Sequence, residues 1–140
     1  MAPRQITTPT GRALGQLLAF AALNLPVSLW FAAWEAAPRG ATPGKRLLGL
    51  RVLSPDGDLV GLPRSLLRTA LKFTLPWELA HTASWSMLTW PGALNAPAVA
   101  LLLGVANAII VVDLVSLFVG SRRIPYDRVA GTIVVHGPVG

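Results

Sequence analysis

Residues 73–121 have the sequence FTLPWELAHTASWSMLTWPGALNAPAVALLLGVANAIIVVDLVSLFVGS, in which no lysine or arginine occurs. Of the twelve basic residues in the chain, seven lie between residues 39 and 72 and three between residues 122 and 128. Two apolar runs with basic residues only at their outer ends are typical of a membrane hairpin whose ends stay in the cytoplasm. The stretch therefore predicts two spans, with the turn near Thr89–Ala96 on the opposite side of the membrane.

The composition agrees with a membrane protein. Hydrophobic residues make up 53% of the chain and charged residues 13%, and the mean hydropathy is +0.57. With 140 residues, the chain has room for one domain with about three or four spans. The net charge of +6 comes from residues that flank apolar segments and do not gather on one face, so we expect no nucleic-acid partner. The absence of cysteine excludes disulfides and thiolate metal sites.

We predict an all-α membrane protein with three spans, at about residues 13–35, 70–90 and 97–119. The first contains the uncharged run Ala13–Trp34, and Pro26 should kink it because proline cannot donate a backbone hydrogen bond. Loop 36–65 and tail 121–140 hold most of the basic residues, so we expect both in the cytoplasm. The chain would then be one domain that crosses the plasma membrane several times, with its N-terminus outside.

The cytoplasmic segments also predict a small β-structure. Leu50–Leu53 and Leu59–Val60 flank the turn Ser54–Asp58, which favours a β-hairpin because Pro-Asp-Gly supplies turn geometry. Gly131–Val135 is rich in β-branched residues and predicts a strand that can pair with Leu50–Leu53. Pro63 suits the first turn of the helix that follows.

Three basic residues lie four positions apart on that helix: Arg64, Arg68 and Lys72. They form one stripe, and long basic side chains at the end of a span extend toward the anionic membrane surface. We therefore expect them to contact lipid head groups, and the lipid bilayer is a partner in any case. A dedicated phosphate site on the same stripe is the alternative.

Ionisable residues within spans are candidates for function because their burial is costly. Here they are Glu35, Glu78, His81 and Asp113. Glu78 and His81 are three residues apart and share a helix face, while Asp113 falls at a depth similar to that of Glu78. One interpretation is an ion or proton pathway through the four. The other is that Glu78 and Asp113 neutralise basic residues of the bundle, namely Arg68, Lys72 or Arg122.

No catalytic chemistry is predicted. The pair Glu78-x-x-His81 matches half of a di-metal carboxylate site, and the chain supplies only one such pair. The sequence contains no hydrolase elbow, zinc-protease helix or phosphate-binding loop. We therefore expect no metal, no cofactor and no enzyme activity.

Two motifs resemble those of the RDD family of membrane proteins. Residues 42–52 have the sequence TPGKRLLGLRV and residues 126–135 the sequence YDRVAGTIVV, and they flank the hairpin in the family's order. The motif residues are Thr42, Pro43, Gly44, Lys45, Arg51, Asp127, Gly131 and Thr132. The resemblance covers roughly Trp34 to His136, and transport, including cation/proton exchange, has been suggested for some members.

The N-terminus departs from the family pattern. The family usually opens with an arginine followed about seven residues later by an aspartate, whereas Arg12 is followed by Ala19. This implies that the first family span is missing or degenerate, which leaves three helices.

Two classes of function remain. The first is a non-catalytic membrane module that binds lipid or partners, such as a second copy or another membrane protein. The alternative is a transporter or transporter subunit that uses Glu78, His81 and Asp113. A protomer with three spans is too small to enclose a wide path, so transport would require an oligomer.

Overall fold

The computed structural model describes residues 8–119 and 123–137. Within them the chain is mostly helical. The helices are α1 (Pro9–Ala19), α2 (Leu25–Ala36), α3 (Pro43–Leu47), α4 (Leu62–Thr69), α5 (Leu75–Thr89), α6 (Pro97–Ser116) and α7 (Pro125–Ala130), and the strands are β1 (Leu50–Leu53) and β2 (Ile133–His136).

Two long helices contain the same interruption. A π-helical turn, Phe20–Asn24, joins α1 to α2, and a second one, Ala70–Thr74, joins α4 to α5. Each turn ends two residues before a proline, Pro26 or Pro76. Because a proline has no N–H to donate, the α-helical ladder loses a bond there, and the wider turn absorbs the change. The predicted distortion at Pro26 therefore takes the form of a π turn.

The helices approach each other closely where their residues are small. Ala32 of α2 and Ser65 of α4 are fully buried, and the Ser65 hydroxyl donates a hydrogen bond to the Ala32 carbonyl at 2.7 Å. A Cβ atom at Gly15 of α1 would lie 2.4 Å from the Trp85 ring of α5. Such contacts between small residues and backbone are typical of helices packed within a membrane. The helix α5 also packs extensively against α6.

The predicted pairing of the tail strand with Leu50–Leu53 is confirmed. Strands β1 and β2 are antiparallel, with Leu50 opposite His136 and Leu53 opposite Ile133. The tail strand begins two residues later than predicted, because Gly131, at φ 64°, ends α7 in the left-handed conformation. The predicted hairpin is reduced to a single bridge between Leu53 and Leu59, since the chain enters α4 soon afterwards.

The interior is polar and the surface apolar. The largest fully buried side chains include Arg68, Glu35 and Asn24, whereas Leu101 is 67% exposed and Val112 53% exposed. A water-soluble domain buries its large apolar residues instead. Among the described residues, two helices are long and apolar enough to cross a membrane, Pro9–Ala36 and Pro97–Ser116. The continuous helix from α4 to α5 falls short of that hydropathy because polar and charged residues interrupt it.

Candidate functional site

A buried cluster of charges joins three separate parts of the chain. Glu35 lies at the end of α2, Arg68 on α4 and Asp127 on α7, and they are 1%, 1% and 3% exposed. Arg68 donates from Nη1 to Glu35 Oε2 at 2.5 Å and from Nε to Asp127 Oδ1 at 2.6 Å. One guanidinium thus bridges two carboxylates, a geometry that its fixed fork of donors favours. We call these three residues the ionic clamp.

Further groups satisfy the outer atoms of the ionic clamp. Lys45 donates a hydrogen bond to Glu35 Oε1, and Lys72 Nζ lies 3.9 Å from the same oxygen. The Thr132 hydroxyl donates to Asp127 Oδ1 at 2.7 Å. The Tyr126 ring lies 5.2 Å from the Arg68 guanidinium carbon. The cluster therefore contains residues from both family-like motifs, held against one arginine.

Burial changes the acid–base properties of two residues beside the clamp. Burial, aided by the positive charge of Arg68, lowers the pKa of Lys45 to about 8, although Glu35 acts in the opposite direction. Burial also raises the pKa of Tyr126 to about 12. The Tyr126 hydroxyl is consequently a neutral hydrogen-bond donor at physiological pH.

A second cluster, which we call the polar seam, lies between the two π-interrupted helices. Asn24 Nδ2 donates to Glu78 Oε1 at 3.0 Å, and Gln16 Nε2 lies 3.4 Å from Glu78 Oε2. Gln16 also donates to the Thr82 hydroxyl at 2.8 Å. The Ser28 hydroxyl bonds to Asn24 Oδ1 and to the Thr74 hydroxyl, each at 2.8 Å. The seam comprises Gln16, Asn24, Ser28, Thr74, Glu78 and Thr82.

The polar seam corrects the predicted partners of Glu78. Within residues 8–119 and 123–137, Glu78 pairs with amides and with no basic residue. Glu35 and Asp127 are the carboxylates that neutralise Arg68, and Glu35 also faces Lys72. Arg122, the third predicted partner, lies outside the described residues.

The four predicted pathway residues do not meet. His81 stacks between Trp77 and Trp85, with ring centroids 6.5 and 6.2 Å away. Asp113 faces a groove beside Pro125, and Glu35 belongs to the ionic clamp. No hydrogen bond or ion pair connects these residues to Glu78 in the part of the chain that the structure describes.

The three residues of the predicted lipid-contacting stripe lie in different environments. Arg68 is buried and bonded to two carboxylates, so the expectation that it reaches lipid head groups is wrong. Lys72 keeps 32% of its side chain exposed, and Arg64 is exposed. Burial of Arg68 follows from the position of Ser65, one turn earlier, which packs α4 tightly against α2.

The remaining motif residues shape the loop and tail around the clamp. Thr42 is buried, and Pro43 and Gly44 form the first turn of α3, which brings Lys45 to Glu35. Arg51 donates from Nε to the Arg39 carbonyl at 3.3 Å. The Thr132 backbone N–H donates to the Asp127 carbonyl at 2.8 Å, just beyond the turn at Gly131.

Sequence reasoning missed most of the polar seam. Gln16, Asn24, Ser28, Thr74 and Thr82 are uncharged, so a search for ionisable residues passes over them. A usable signal was present, since Asn24-Leu25-Pro26 and Thr74-Leu75-Pro76 repeat one pattern in two long helices. The proline marks where the helix loses a backbone hydrogen bond, and the polar residue two positions before it belongs to the polar seam.

The described residues contain no group of three or more His, Cys, Asp or Glu arranged to hold a metal ion.

The two clusters differ in what they can do. The ionic clamp is saturated and can hold the loop, two helices and the tail together. The polar seam contains a carboxylate without a basic partner and a buried acceptor, Gln16 Oε1, without a hydrogen bond in the described residues.

A polar interior, an apolar exterior and buried charge pairs define a helical, membrane-associated protein. The chain belongs to the RDD family, whose family model matches residues 4–131. The match begins before α1, whereas the motif resemblance began near Trp34, so the match also takes in α1 and α2. Neither the comparison with curated proteins nor the comparison with solved structures found a match.

Proposed function

We propose that this RDD protein is a non-catalytic membrane module that binds lipid or partner membrane proteins and crosses the plasma membrane three times. The third span would be the continuous helix from α4 to α5. This helix packs against α1, the first part of the apolar helix Pro9–Ala36, and against α6, the apolar helix Pro97–Ser116. The packing supports a position at the same depth in the membrane as those two helices.

The observation that carries this proposal is the ionic clamp. Its three residues are buried and satisfy one another within the chain. A catalytic residue must be reachable by substrate and must have a group free to react. The three residues of the ionic clamp are buried, and their charged groups are paired with one another. The clamp instead fixes the ends of α2 and α4 to the tail, which supports an anchoring role.

The charge distribution supports a cytoplasmic loop and tail. All basic residues except Arg4 and Arg12 lie in the loop, at the start of the second long helix or in the tail. Reporter fusions at Gly140 and Asn95 test this orientation. We expect the Gly140 fusion to report from the cytoplasm and the Asn95 fusion from outside, and the reverse result would refute the orientation.

The central experiment is an ion-flux assay on protein reconstituted into liposomes. A non-catalytic module should dissipate an imposed pH gradient no faster than protein-free liposomes do. The comparison sample is the Glu78→Gln variant, which should dissipate the pH gradient at the same rate as the wild type. Dissipation by the wild type that this variant lacks would contradict the proposal.

The second candidate is an ion or proton pathway, and the polar seam is the observation that favours it. Glu78 is half-buried between helices and is contacted by amides. The π turns beside it are a geometry that recurs at functional sites in helices. His81 and Asp113 lie elsewhere, so in this candidate Glu78 would act with Asn24 and Gln16.

A further inference from the structure

Asp113 lies in a groove between the end of α6 and the start of α7. Its walls include Val105, Ile109 and Val112 of α6 and Pro125 of α7. Only the backbone carbonyl of Asp113 accepts a side-chain hydrogen bond, from Ser116 at 2.8 Å. Within residues 8–119 and 123–137 its carboxylate has no hydrogen bond and no ion pair. A carboxylate between apolar walls is unstable unless a cation or a donor meets it.

A second groove, which adjoins the first at Asp113, contains a positive charge. Lys72 lines it together with Asp113, Ile124 and Tyr126. Lys72 is the third base around Glu35, at 3.9 Å, behind Arg68 and Lys45. Three bases thus surround the two carboxylates of the clamp, and Lys72, the most distant of them from Glu35, also lies 5.4 Å from the Phe31 ring centroid. Lys72 and Asp113 are not within ion-pair distance of each other, so the groove carries one positive and one negative group held apart.

The surroundings suit an amphiphile. Leu71, Leu75 and Ile109 line a third groove, which adjoins the others at Asp113 and Tyr126 and adds an apolar surface. Asp113 lies one turn before the end of α6, a depth at which head groups meet acyl chains when α6 spans the membrane. The adjoining grooves therefore bring a carboxylate, an ammonium group and a tyrosine together with apolar surfaces.

We propose that the adjoining grooves around Asp113 together bind a zwitterionic phospholipid with a primary amine, of the phosphatidylethanolamine class. The lipid ammonium group donates to Asp113, its phosphate accepts from Lys72 and Tyr126, and one acyl chain lies along α6. A primary ammonium group donates hydrogen bonds to a carboxylate, whereas a quaternary one has no N–H to donate. A phosphatidylglycerol offers a phosphate but no cation for Asp113. This inference rests on the proposed function, of which it names the ligand class.

The test uses the full-length protein in a mild detergent with equal amounts of dioleoyl phosphatidylethanolamine, phosphatidylcholine and phosphatidylglycerol. Native mass spectrometry then measures which lipid stays bound. We expect the wild type to retain phosphatidylethanolamine about tenfold better than the other two, which corresponds to about 1.4 kcal/mol. Asp113→Asn should reduce that preference to near unity while phosphatidylglycerol retention stays unchanged. Asp56→Asn, the same substitution in an exposed turn, is the matched control and should behave as wild type.

Lys72→Met gives an independent second arm. It should lower retention of phosphatidylethanolamine and phosphatidylglycerol alike, because both present a phosphate. A folded wild type that retains the three lipids equally would overturn the proposal. So would an Arg122→Gln variant that loses the preference as Asp113→Asn does, since that arginine would then be the partner of Asp113. Neither outcome depends on the ion-flux result, so the proposed lipid site and the proposed non-catalytic role can be refuted independently.

Discussion

The ionic clamp and the polar seam each hold one glutamate between helices, but they satisfy it differently. Glu35 faces an arginine and two lysines and is 1% exposed. Glu78 is half-buried and is met by the amides of Asn24 and Gln16. Removing one partner of a buried ion pair leaves an uncompensated charge, whereas replacing a carboxylate that is bonded to neutral amides strands no charge. The two glutamates should therefore differ in what their substitution costs.

The largest effect is expected from Arg68→Met. It removes the guanidinium that bridges Glu35 and Asp127 and leaves two buried carboxylates facing the interior. Removing one partner of a buried ion pair costs about 3–5 kcal/mol. We expect a large fall in thermal stability and in the monodisperse fraction in detergent, measured by scanning fluorimetry and size-exclusion chromatography.

Two variants control this result. Arg64→Met removes an exposed arginine one turn earlier on α4 and should change stability little. Arg68→Lys keeps the charge but provides one nitrogen, which cannot occupy both bonding positions, so its stability should fall between the other two. Stability of Arg68→Met equal to that of Arg64→Met would refute the structural role of the clamp.

A smaller effect is expected from Asp127→Asn. The amide keeps an acceptor for Arg68 and for the Thr132 hydroxyl but loses the negative charge. Hydrogen bonds to charged groups contribute about 1.5–3 kcal/mol, and part of this is lost. Because Asp127 connects the tail to α4, we expect faster trypsin cleavage at Arg128 in limited proteolysis. Unchanged cleavage relative to the exposed-turn control Asp58→Asn would show that the tail is held by the sheet alone.

Lys45, which donates a hydrogen bond to Glu35 of the ionic clamp, should make the stability of the clamp region depend on pH. Its pKa is lowered to about 8 from 10.5. Below pH 8 the amine is protonated in the folded and the unfolded chain alike. Between the two values the unfolded chain still holds the proton, so the contribution of Lys45 to stability rises with pH across this window.

The chain contains only two lysines, Lys45 and Lys72, which makes the measurement direct. Labelling lysine with ¹³C at Cε gives two NMR signals in detergent micelles. One should titrate near pH 8 and disappear in Lys45→Arg. A Lys45 signal that titrates near 10.5 would show that the amine is solvated and does not contact Glu35.

Two helices long and apolar enough to cross a membrane, and the strand pairing, could be predicted because they depend on local pattern. Apolar run length located Pro9–Ala36 and Pro97–Ser116 to within a few residues, and β-branched residues located the tail strand. The ionic clamp could not be predicted in the same way. Glu35 and Arg68 are 33 residues apart in sequence, and Arg68 and Asp127 are 59 apart. Their pairing depends on how α2, α4 and α7 pack, and the sequence pattern predicted Glu78 and Asp113 as the partners of the basic residues.

The prediction that Arg68 contacts lipid head groups was wrong for a related reason. A stripe at four-residue spacing places side chains on one helix face but does not say what that face meets. Ser65 and Ala32 let α4 approach α2 closely enough to bury Arg68. The polar seam was missed because it consists mainly of neutral residues.

The smallest effect is expected from Glu78→Gln, and it separates the two clusters most clearly. The new amide keeps an oxygen for Asn24 Nδ2. Its NH₂ group faces Gln16, whose buried Oε1 lacks a hydrogen bond in the described residues and can accept once the Gln16 amide rotates. We therefore expect stability to change by no more than about 1 kcal/mol, the net value of one hydrogen bond. Glu78→Leu, which removes the acceptor that both amides share and leaves Gln16 Nε2 only its bond to Thr82, should cost about 1–3 kcal/mol. If Glu78→Gln destabilises the protein as much as Arg68→Met, Glu78 has a basic partner and the two clusters do not differ in kind. If it stays stable while the reconstituted protein loses a pH-dependent flux that the wild type shows, the polar seam is an ion or proton pathway.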